Sequence, residues 1–189
     1  MNAEKWWTNI IHNTFQPLLR PNEQLPSELI PKLLHRFWSD EGYMLLPDVP
    51  LVLRGARNLQ SLRYDRVVVG VITNSDDRVP DVLTSLGLKV SPLRYGDSKA
   101  EGGNWDVDFT VMSYDVGHEK PDRRIFEAAE GMLDVVRGAG AAASAEGDGW
   151  EKVYVGDEYD KDVVGAVDAG WKAVLINDSQ DAKVEWCDA

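Results

Sequence analysis

The sequence predicts an α/β fold: a parallel sheet covered by helices on both faces. Three observations carry this. Short apolar runs rich in β-branched residues fall at 67–73, 109–112, 153–155 and 173–176, without the polar alternation of a half-exposed strand. Amphipathic helical stretches separate them, the alternation that builds doubly covered sheets. Finally, strands end in T-N at Thr73 and Asn74 and in G-D at Asp157. Ligands of open parallel sheets collect beyond such carboxyl ends.

Taken in order, residues 4–19 place Trp6, Trp7, Ile10, Ile11, Phe15, Leu18 and Leu19 on one helical face. The proline-bounded stretch 21–26 breaks that helix. Ser27 is expected to cap a second one carrying Leu29, Ile30, Leu33, Leu34, Phe37 and Trp38. Both read as packed structural helices, tryptophans included. A helix over 51–62 then precedes the strand 67–73, and a helix over 78–86 follows it. The strand 109–112 leads through H-E-K-P-D to a helix over 124–136. The strand 153–155, a helix over 163–169 and the strand 173–176 complete the series. Residues 95–104 and 138–149, rich in glycine and charge or in small residues, read as surface loops.

At 189 residues the chain suits one domain, with room for a small appendage, and 43% hydrophobic content with seven tryptophans supports a sizeable core. A net charge of −12 disfavours nucleic acid or an anionic membrane as partner. It leaves a small anionic substrate open, because one lysine and a metal reverse the field within a cleft. Cys187 is the single cysteine. That rules out a disulfide framework or thiolate metal site and favours a reducing compartment, cytosol or nucleus. There is no apolar run of membrane-spanning length, so a soluble intracellular protein is expected.

Thr73, Lys120, Asp157 and Asp162 bring a hydroxyl, a lysine and paired acids in that order. This set suggests a phosphate-handling, magnesium-dependent site. Plainer roles exist for each. The acids 157–162 suit a solvated helix N-terminus, Lys120 a surface position, and Thr73, Asn74 or Ser75 a helix cap. Asp76 and Asp77 read as turn residues. His12, His35 and His118 show no ligand spacing.

With those residues placed, the chain resembles the haloacid dehalogenase (HAD) superfamily of hydrolases over about residues 47–177. I-T-N looks like its second motif, G-H-E-K-P-D-R-R-I-F its third and V-G-D-E-Y-D-K-D its fourth. The order and spacing make the combination specific. The resemblance implies a Rossmann-like HAD core over residues 46–189 and a residual N-terminal helical cap over residues 1–45. It implies that Thr73 and Asn74 hold phosphate, that Lys120 bridges nucleophile and phosphate, and that Asp157 and Asp162 bind Mg²⁺. The family's attacking aspartate belongs to a D-x-D-x-T motif on the central strand before the cap. This sequence opens directly into the cap-like helix, so that first central strand is expected to be missing. D-V-D-F-T at 106–110 matches the motif literally. It follows Gly102-Gly103-Asn104 rather than an apolar strand, so its acids fall at a strand's beginning.

Several expectations follow. Catalysis should be impaired, and Mg²⁺ should bind weakly, because it demands near-octahedral oxygen geometry. A gap one strand wide spans about 10 Å against the usual ~4.8 Å. Either the flanking strands close up, or exposed sheet edges drive self-association. Two readings of function stay open. One is a phosphatase-type hydrolase of a small phosphorylated or anionic substrate, truncated by evolution or by choice of start codon. The other is a non-catalytic, HAD-derived binding or regulatory module.

Overall fold

Every residue of the strand Phe109–Met112 (β2) is buried, each at most 3% exposed. The computed structural model describes residues 2–62, 64–138, 150–176 and 186–187. It divides into two units. The first comprises Met1–Val69, Ser75–Ser91 and Asn104–Val107; the second comprises Gly70–Asn74, Pro92–Gly103 and Asp108–Ala189.

The first unit is helical. Helix α1 (Ala3–Phe15) is capped by Asn2, whose Oδ1 accepts the Lys5 amide at 3.0 Å, and runs into a tight turn at Gln16–Leu18. Helix α2 (Leu29–Trp38) packs against α1 and against α4 (Val79–Ser85). Helix α3 (Val49–Leu62) lies between α2 and α4 in sequence. One expectation needs correcting here. Ser27 does not cap α2: Glu28 holds that position, in helical conformation and without a side-chain bond. Two residues therefore precede the helix where one was expected.

The second unit holds the strands. Strand β1 (Gly70–Thr73) pairs parallel with β2 in the register Gly70↔Phe109 to Thr73↔Met112. Strand β3 (Val153–Gly156) pairs parallel with β4 (Lys172–Leu175), and β4 pairs antiparallel with a short β5 (Trp186–Cys187). Helices α5 (Ser113–Val116), α6 (Arg123–Arg137) and α7 (Gly165–Asp168) complete it. Helix α6 buries Ile125, Phe126, Ala128, Ala129, Met132 and Leu133. It packs on β1, β2 and α7, so one apolar helix face underlies the strands.

The α/β class and the parallel pairings are as expected, while two details differ. The ladder of β1 begins at Gly70 rather than residue 67, since the Val67 carbonyl accepts Arg57 Nη1 at 2.7 Å instead of a strand amide. The strands form two sheets, β1-β2 and β3-β4-β5, rather than one. Cys187 lies in β5, paired with Ala173. The expected loop at 138–149 lies, beyond Gly138, outside the described residues. No helix among the described residues is long and apolar enough to cross a membrane.

Candidate functional site

All five residues singled out by sequence lie in the second unit. Thr73 closes β1, half-buried, and Asn74 follows it. Asn74 uses both ends of its amide on one partner. Its Oδ1 accepts the Lys120 backbone N–H at 2.7 Å, and its Nδ2 donates to the Lys120 carbonyl at 3.1 Å. The turn that delivers the lysine is therefore fastened to the end of β1. The Lys120–Pro121 peptide is cis.

The Lys120 ammonium is largely enclosed, with its side chain 11% exposed. It donates to Asp162 Oδ1 at 2.6 Å and to Tyr154 Oη at 2.8 Å. Burial alone would lower its pKa; the hydrogen bonds to Asp162 and Tyr154 outweigh burial and raise it above the ordinary lysine value. Asp162 shows the reverse balance. Burial favours its neutral form, but Lys120 and the Glu158 and Asp157 amides hold its carboxyl below the ordinary carboxylate value. The pair is charged across the neutral range.

Asp162 also organises its own loop. Its Oδ2 accepts the amides of Asp157 at 3.0 Å and Glu158 at 2.9 Å. Around it, residues Tyr159–Val164 form a wide helical turn that continues into α7. Such i→i+5 turns re-aim side chains at functional sites. The expected helix over 163–169 is thus a wide turn followed by one short α-helical turn. Two glycines make room. A Cβ on Gly156 would lie 2.3 Å from Asp162 Oδ2, and one on Gly165 would lie 2.9 Å from Pro121 Cα. At these contacts β3 approaches Asp162, and the start of α7 approaches the lysine turn.

The acidic segment splits in two. Asp157, Glu158 and Asp160 face solvent, as a solvated helix start would have them, while Asp162 is 3% exposed. Mg²⁺ takes near-ideal octahedral oxygen coordination. Both Asp162 oxygens are engaged by Lys120 and by amides. No group of three or more His, Cys, Asp or Glu suited to a metal gathers among the described residues. The described residues do not fit a complete Mg²⁺ site; Asp157 is the exposed carboxylate at the strand end.

The literal D-x-D-x-T match is divided between the two units, Asp106 in the first and Asp108 in the second. Asp106 Oδ2 accepts the Lys89 amide at 2.8 Å, and Thr110 is buried in mid-β2. Two features escaped sequence reading. Tyr154 alternates with the exposed Val153 and Val155 and turns its ring the other way, edge-on to Phe126 at 5.4 Å. A hydroxylated aromatic just before the Gly-Asp pair was the available signal. In the first unit, Asp76 accepts from Trp7 Nε1 at 3.0 Å and from Arg78 Nε at 2.6 Å, so it is more than a turn residue.

Comparison with known proteins converges on one family. The HAD-hydrolase-like family model matches residues 118–185, from the lysine segment through the fourth motif. An uncharacterized hydrolase of Schizosaccharomyces pombe is 29% identical over 173 residues, 92% of this chain and 62% of that protein. Haloacid dehalogenase-like hydrolase domain-containing protein 3 of Bos taurus is 25% identical over 176 residues, 93% of this chain and 57% of that protein. The chain thus spans about three fifths of the length of these curated relatives. A HAD phosphatase from Thermococcus onnurineus shares the fold at TM-score 0.50 and 22% identity, over 96% of this chain and 64% of that one. With its motifs on the expected strand ends, the chain is similar in sequence to haloacid dehalogenase-like hydrolases and shares their fold.

Proposed function

We propose that the chain supplies the phosphate-positioning part of a phosphatase-type hydrolase acting on a small phosphorylated substrate. One observation carries this: the Lys120 ammonium, enclosed and held by Asp162 and Tyr154, in a turn that Asn74 fastens beside Thr73. Phosphoryl transfer draws most of its acceleration from positioning and charge compensation. An ammonium fixed in a poorly solvated pocket gives both, because its charge is little screened there. Thr73 would add a hydroxyl donor to the same phosphoryl group. The carboxylate that pairs with Lys120 is Asp162, which is itself engaged on both oxygens, so the attacking group is not among these residues. On this reading the chain by itself binds phosphate monoesters and turns them over poorly.

The binding-module reading has its own support in Asp162, whose contacts are all internal. Titration calorimetry with inorganic phosphate, alongside hydrolysis of p-nitrophenyl phosphate with and without Mg²⁺, separates the two. Phosphate binding lost in Lys120→Met, with turnover lost in Asp157→Asn, is the result expected of a hydrolase. Binding without any turnover would favour the module. No phosphate binding in the unsubstituted chain would overturn both.

A further inference from the structure

We infer that Tyr154 is a positioning residue for Lys120: its hydroxyl fixes the direction in which the lysine offers its remaining N–H to an anionic ligand. The significance for phosphate rests on the function proposed above; the geometry does not.

A phenol has one proton to donate and lone pairs to accept with, whereas a carbonyl oxygen only accepts and an ammonium only donates. Tyr154 Oη lies 3.0 Å from the Ile72 carbonyl oxygen and 2.8 Å from Lys120 Nζ. Of these two neighbours only Ile72 can take its proton, so a lone pair faces the lysine. Neither role can be exchanged. The hydroxyl joins β3 to β1, two strands belonging to different sheets.

The ring is fixed as firmly as its oxygen. It meets Phe126 edge-on at 5.4 Å, and Phe126 is fully buried on α6. Lys120 Nζ also lies 5.2 Å from the Tyr154 ring centroid, so the ammonium rests against both the π face and the hydroxyl. A lysine side chain has several free torsions, and a single ion pair leaves many of them compatible with contact. Two acceptors, Asp162 and Tyr154, on two of its three N–H groups leave the third in one tetrahedral direction. Asp162 supplies the opposing charge, and Tyr154 supplies the second point that stops the ammonium from swinging.

Tyr154→Phe in the full chain tests this, because it keeps the ring against Phe126 and removes only the hydroxyl. Lysines labelled with ¹³C at Cε report each ammonium's titration by NMR, and Lys120→Arg identifies the Lys120 resonance. The expected results are a lower Lys120 pKa in Tyr154→Phe and about tenfold or greater weakening of inorganic phosphate binding. Near-UV circular dichroism should be unchanged. A Lys120 titration and phosphate affinity that both match the unsubstituted chain would overturn the inference, leaving Tyr154 a packing residue. If Tyr154→Phe does not fold, 3-fluorotyrosine at position 154 nearly preserves the shape and weakens the acceptor that faces Lys120, while strengthening the donor that faces Ile72. A smaller shift in the same direction is then expected, and no shift overturns the inference. Phosphate binding that is indifferent to Lys120→Met, beside a lowered Lys120 pKa in Tyr154→Phe, would sink the proposed function and leave the positioning role standing.

Discussion

Each unit of this protein contains a partly buried ion pair dressed with aromatic side chains, and the two pairs do different work. In the first unit Arg78 and Asp76 are two residues apart, with side chains 14% and 16% exposed. Asp76 also accepts from Trp7, and the Arg78 guanidinium lies 4.9 Å from the Trp7 ring centroid and 5.3 Å from that of Trp38. Burial would raise the Asp76 carboxyl, but Arg78 and Trp7 hold it below the ordinary value. In the second unit Lys120 and Asp162 are 42 residues apart, with side chains 11% and 4% exposed. The parts are alike: an aspartate, a cation and an aromatic side chain hydrogen-bonded to one of them. What separates them is the remainder. The guanidinium's faces are covered by rings, which makes the pair a staple for α1, α2 and the turn before α4. The ammonium joins segments distant in sequence and keeps a donor for something else.

The sharpest way to break this contrast is Lys120→Met. Removing one partner of a buried pair strands the other, at a cost of about 3–5 kcal/mol, and phosphate binding should vanish with it. Denaturant unfolding and calorimetry read the two effects. The pH dependence carries its own sign. Asp162 is held below its ordinary 3.8, so its contribution is complete above about pH 5 and drains away as pH falls through 3.8 toward its folded value. Lys120 is held above its ordinary 10.5, so its share is complete below about pH 9 and is lost as pH rises through the folded value. The stability difference between the unsubstituted chain and Lys120→Met should therefore be flat between those limits and narrow on either side. A gap that persists into strong acid would contradict the pairing.

Gly156→Ala attacks the same site from the backbone. Its Cβ would fall 2.3 Å from Asp162 Oδ2 and 2.4 Å from Cγ, atoms of a short side chain already bound at both oxygens. Overpacking of this kind costs about 1–3 kcal/mol, and thermal unfolding should show it together with weaker phosphate binding. Arg78→Ala should cost about 1–2 kcal/mol through two lost cation–π contacts and an unpaired carboxylate. Phosphate affinity should stay put, and tryptophan fluorescence should change. Equal losses of phosphate binding in Arg78→Ala and Gly156→Ala would erase the distinction between staple and site. Ser27→Ala is expected to change stability by less than about 0.5 kcal/mol, since Ser27 does not cap α2.

The extent to which this was legible in the sequence follows the range of each interaction. The strand Phe109–Met112 is visible from composition alone because every residue in it is buried, leaving only apolar and β-branched choices. Thr73, Asn74, Lys120, Asp157 and Asp162 could be placed at strand ends from local pattern. Their partners could not be. That Asn74 clamps a backbone 46 residues away, or that Asp162 turns inward while Asp157 turns out, depends on how separate segments meet. The neighbours of Asp76 suggest a turn former, and nothing local points to Trp7, 69 residues earlier. The division of the strands into two sheets is likewise a matter of which edges meet, and periodicity says nothing about that.

The Asn74 clamp makes the site vulnerable to time. An asparagine that takes up water and releases ammonia becomes an aspartate, and the group lost here is the Nδ2 that donates to the Lys120 carbonyl at 3.1 Å. A charged oxygen would then face another oxygen, and the turn that delivers the lysine would be pushed away from β1. Ageing of a stored preparation would thus reach Lys120 without touching it, leaving composition almost unchanged and net charge one unit more negative.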